Sequence, residues 1–145
     1  MMKRKWHFQY VTLALSVAAF PSVAVASDWR YLTSGTGGVV VKVDVESVRE
    51  LPAIQIRRPF PVRQIWVQMD FSQDKSVTYR EQRQLFRFNC IAETGMIASS
   101  VTYNPDGRVA RSWSDEDYDF KYEPQTPDTI GYAIMEFACG RSSLF

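Results

Sequence analysis

The stretch Thr78–Cys90, T-Y-R-E-Q-R-Q-L-F-R-F-N-C, decides how this chain folds. Phe86, Phe88 and Cys90 share one parity while Arg87 and Asn89 take the other, the signature of a strand with one buried face. It ends in one of only two cysteines; the other, Cys139, closes the last helical pattern of the chain. A Cys90–Cys139 bond would staple a C-terminal helix across the apolar face of a sheet.

That bond depends on the compartment, which the N-terminus addresses. Lys3, Arg4 and Lys5 precede the apolar run Val11–Phe20, and Ala24-Val25-Ala26 supplies small residues for cleavage. This is the pattern of a secretory signal, residues 1–26. Its apolar core is about half the roughly 20 residues a membrane span needs. No cysteine stands near Ala26-Ser27 to carry a lipid anchor, so a periplasmic or secreted product is expected. In that oxidising setting two cysteines pair.

Residues 27–145 are then expected to form a single domain with one core. Removing Lys3, Arg4 and Lys5 from the 17 basic residues leaves 14 against 16 acidic ones, a formal charge of −2. Such a balance excludes the basic footprint of a nucleic-acid binder. The one histidine, His7, lies within the signal, so the mature chain has no imidazole for base catalysis or metal binding. Nothing implies a cofactor.

Outward from the opening stretch, Gln64–Phe71 alternates with Ile65, Val67, Met69 and Phe71 on one face, and Val39–Val45 alternates likewise. Asp28–Leu32 reads as a first strand, and Thr33–Gly38 as its turn. Val45, Val48 and Leu51 fall at helical spacing and suggest a helical turn or two before Pro52, with a strand at Ala53–Ile56 beyond. Met96–Tyr103 and Arg108–Trp113 form a hairpin about Asn104-Pro105-Asp106-Gly107, where Pro fixes φ and Gly accepts a positive φ. Ser114–Gln125 reads as a surface loop. The clearest helix follows: Thr126 as N-cap, Pro127 first, Ile130, Ile134 and Phe137 along one stripe, and Gly140 past the end.

In this order, several marks resemble the surface-adhesin protein E-like family of bacterial envelope proteins. They are Trp29, D-V-E-S-V at Asp44–Val48, Trp66 in a central strand, Tyr79-Arg80, F-N-C at Cys90, Trp113, and the Pro-led helix through Gly131 to Cys139. The resemblance implies an α+β fold: a curved antiparallel sheet of about six strands with the C-terminal helix held on its concave face by the disulfide. It also implies an adhesin-like module, since the founding type binds host matrix and serum proteins. This chain departs from that type in lacking the lipid-anchor cysteine and in enlarging the segment between Trp113 and Pro127.

For a binding site, Arg57, Arg58 and Arg63 form the densest basic patch, suited to an anionic ligand or the acidic surface of an envelope or host protein. The simpler account is a solvated turn whose charge discourages edge-to-edge pairing. Trp66 stands among polar neighbours and is a candidate contact residue. The competing expectation is that it packs under a loop or the helix. Asp115, Glu116, Asp117 and Asp119 lack the glycine-punctuated spacing of a calcium loop and read as solvated charge. No catalytic residue, neither a G-x-S-x-G elbow nor a histidine-supported nucleophile, is legible. The leading expectation is a non-catalytic binding module. The alternatives are a structural or stress-related periplasmic protein, or a small hydrolase using paired carboxylates.

Overall fold

The computed structural model describes residues 26–55, 59–114 and 121–142. The strands are β1 (Trp29–Ser34), β2 (Val40–Asp44), β3 (Arg49–Leu51), β4 (Val62–Asp70), β5 (Glu81–Asn89), β6 (Thr94–Tyr103), β7 (Val109–Ser114) and β8 (Glu123–Pro124), followed by one helix, α1 (Ile130–Ala138). They form one sheet in the order β1-β2-β4-β5-β6-β7, with β3 also paired to β4 and β8 to β6. Every pairing is antiparallel. Eight strands thus stand where about six were expected, because β3 and β8 are only three and two residues long and too short to leave an alternation in the sequence.

β5 is the spine of the sheet, paired along its length with β4 on one side and β6 on the other. Phe86 and Phe88 project to the same face with rings stacked at 5.7 Å, and Phe88 is fully buried. Val41, Val43, Ile65 and Val67 join them, and Ile134, Met135 and Ala138 of α1 close the layer. Each of these Val, Ile, Met and Phe side chains, fully buried, contributes about 1.5–3 kcal/mol. Phe88 needs a special neighbour: it lies opposite Gly95, and a Cβ there would come within 2.4 Å of its ring.

Cys90 and Cys139 are bonded, with Cα atoms 5.7 Å apart and a sequence separation of 49. Just before Cys90, the Asn89 side chain accepts from the amides of Ile91 and Ala92, each at 3.1 Å, so this polar residue is satisfied although buried. Just after Cys139, the Arg141 guanidinium bonds the Cys90 carbonyl and the Glu93 carboxylate. The end of the helix is therefore held by the disulfide and by an ionic clasp beside it.

Three local expectations are corrected. Val45–Leu51 is not a helix of one or two turns: a single 3-10 turn at Val45–Ser47 hands over to β3, because Asp44 caps that turn and Arg49–Leu51 find partners on β4. Ala53–Gln55 is a turn rather than a strand and leaves Ile54 89% exposed, while Ile56 lies outside the described residues. The N-cap of α1 is Thr129, not Thr126, since Asp128 takes φ +62° and the helix starts only after it. Thr129 Oγ1 accepts from the Tyr132 amide at 3.2 Å and donates to the Thr126 carbonyl at 2.6 Å, so both threonines share one cap.

Candidate functional site

Alternation gives the sheet two unlike faces. Residues that alternate with the core point away from α1, and they include Trp66 and Gln68 on β4, Arg83 and Leu85 on β5, and Val101 and Tyr103 on β6. Trp66 therefore does not pack under the helix, since its neighbours Ile65 and Val67 take that side. It is half-buried on the helix-free face.

Two short hydrogen-bond systems set the tryptophans in place, and both arise from D-V-E-S-V. Asp44 Oδ1 accepts from the Asp28 amide at 3.0 Å and the Glu46 amide at 3.2 Å, fixing the chain that delivers Trp29. Ser47 Oγ donates to the Asp44 carbonyl at 2.6 Å and accepts from the Trp66 amide at 2.8 Å, tying the turn to β4. Asp44 is buried with those partners, which is how a carboxylate is accommodated there.

Arg83 is the centre of the arrangement. Its Cζ lies 5.8 Å from the Trp29 ring and 5.2 Å from the Tyr103 ring, and its Nε donates to Glu81 at 2.6 Å. Each aromatic contact is worth about 0.5–1 kcal/mol at an exposed site and holds the guanidinium in orientation. Its two Nη atoms have no partner among the described residues. A pocket of about 280 Å³ opens beside it, lined by Ser27, Trp29, Asp44, Trp66, Val101 and Tyr103. A rigid aromatic floor around an oriented guanidinium is the composition that carries energy in protein interfaces and recognises carboxylates.

Of the residues expected to bind, Arg63 is the second residue of β4 and pairs with Glu50 at 3.4 Å, both half in solvent. It lines a different recess, of about 220 Å³, beside Cys90 and Cys139. Arg57, Arg58 and the acidic run 115–120 lie outside the described residues, as do residues 1–25. Among the described residues no three His, Cys, Asp or Glu side chains gather into a metal-holding group, and no helix is long and apolar enough to cross a membrane. Trp29, Arg83 and Tyr103 went unrecognised as a group in the sequence. Parity places Arg83 off the core face, but strands β1, β5 and β6 converge only in the fold.

A family model described as surface-adhesin protein E matches residues 29–140. Among solved structures, a crystal form of Haemophilus influenzae protein E superposes with a TM-score of 0.50 at 16% identity, over 86% of this chain and 97% of that one. At that identity the likeness is one of fold. No curated protein matches the chain.

Proposed function

Because the chain belongs to the surface-adhesin protein E family, we propose that it is an exported, non-catalytic binding module of the cell envelope that captures a protein partner on the helix-free face. The Trp29–Arg83–Tyr103 cluster beside Trp66 carries the reading: an oriented cation and three aromatic rings at an open pocket, not sealed beneath the helix. Export is supported by the basic and apolar N-terminal pattern and by the Cys90–Cys139 bond, which persists in oxidising compartments. The mature chain then begins at Ser27, on the rim of that pocket.

Arg57, Arg58 and Arg63 supply the electrostatic part of contact with an acidic partner surface, drawing it in rather than anchoring it. The test is a binding measurement with disulfide-intact protein recovered from the envelope fraction, its N-terminus read by mass spectrometry, against a panel of envelope and host matrix proteins beside glycosidase and esterase substrates. The proposal expects a partner whose capture is lost in Arg83→Ala and is weakened and less salt-sensitive in Arg57→Glu with Arg58→Glu. Turnover abolished by a single carboxylate substitution would establish an enzyme instead. Capture unaffected by Arg83→Ala would reject the site.

A further inference from the structure

A groove with a volume of about 500 Å³ lies elsewhere, between the outermost strand β1 and the flank of α1. Among the described residues β1 ends the sheet and pairs with β2 alone, so the backbone groups on its outer side have no strand partner there. α1 stands beside it: a Cβ on Gly35, just after β1, would come within 2.8 Å of Ile130, while Tyr132, Ala133 and Glu136 line the groove further along the helix opposite Tyr31–Thr33. A sheet edge flanked by a helix is a geometry that accepts an added strand, the backbone supplying affinity and the helix flank selectivity.

We propose that this groove receives an extended, basic segment of a partner protein as an additional strand on β1. The charge of the walls selects the sign. Asp128 and Glu136 both line the groove, and Asp128 has no ion pair among the described residues. Arg141, beside Glu136, is shared between Glu93 and, at 3.7 Å, Glu136. The local balance is negative, in keeping with a Tyr132 phenol pushed up chiefly by Glu136 and then by burial, with Glu93 and Asp128 adding and Arg141 only partly opposing. Tyr31, 58% exposed, and Tyr132 offer rings against which the stem of a lysine or arginine can lie.

The site does not depend on the Arg83 face, and the experiment separates the two. Disulfide-intact mature protein is titrated with a six-residue peptide of alternating lysine and valine, with its glutamate counterpart, and with a version carrying proline at alternate positions. Amide hydrogen exchange is followed together with affinity. The lysine peptide is expected to bind and to slow exchange at Tyr31–Ser34, with the other two at least about tenfold weaker, since one loses charge complementarity and the other its backbone donors. Glu136→Lys should weaken the lysine peptide by about tenfold at low salt, whereas Arg83→Ala should leave it unchanged. Equal binding of the lysine and glutamate peptides, no binding of either, or no change in exchange at β1 would overturn the proposal. So would binding seen only in a chain ending at Ser142, which would make residues 143–145 the occupant.

Discussion

The two faces of the sheet are built by the same strands and do opposite things. On the helix-covered side Ile65, Val67, Phe86 and Phe88 meet Ile134 and Met135 with almost no exposure. On the other side Trp66, Arg83 and Tyr103, each one pleat away, keep part of their surface in solvent around an open pocket. The difference teaches that alternation alone creates a stability face and a contact face, and that what a substitution costs depends on parity more than on residue size.

The largest loss is expected from Phe88→Ala, which empties a fully buried ring position. A loss of about 3–5 kcal/mol in chemical denaturation is expected. Removing the staple comes next: Cys139→Ala should lower stability by about 2–5 kcal/mol and leave α1 open to proteolysis, because the bond closes a long loop. A smaller effect should follow from Gly95→Ala, about 1–3 kcal/mol, as the new methyl forces Phe88 aside. If this costs nothing, the close approach of strand and ring is wrong.

On the contact face Arg83→Ala should shift unfolding by about 1–2 kcal/mol while removing partner capture. Stability loss as large as that of Phe88→Ala would show that the second face is a core as well. The smallest expected effect is on the pH dependence of stability. Asp70 sits below the ordinary carboxylate range because the Ser72 hydroxyl, and then its amide, bond it. A lowered pKa contributes stability above the unfolded value that is lost as pH falls through the folded one. Ser72→Ala should therefore lower stability slightly at neutral pH, leave it almost unchanged at pH below the folded value, and so shallow the acid limb of the pH–stability curve measured by chemical denaturation.

The core face was legible because its signal is local. Phe86, Phe88 and Cys90 announce their side within five residues, and Ile130, Ile134 and Phe137 announce a helix. Boundaries were less so: the start of α1 moved from Thr126 to Thr129 because both can cap, and only the positive φ of Asp128 decides between them. β3 was hidden because three residues carry no period, and its pairing with β4 overrides the helical spacing of Val45, Val48 and Leu51. Of the candidate site, Trp66 stood out by its polar neighbours, whereas Arg83 looked like any solvent-side residue of a strand.

By itself the sequence determined the alternation of the strands, the stripe of the C-terminal helix and the pairing of its two cysteines, since each follows from periodicity or from there being one partner to choose. Only the tertiary structure decided that Trp29 and Tyr103 from distant strands close on Arg83, and that among the described residues the β1 edge is left open beside the helix. Periodicity specifies which residues share a face, but the order of strands in the sheet specifies which faces meet, and that order is a property of long-range pairing that no local pattern encodes.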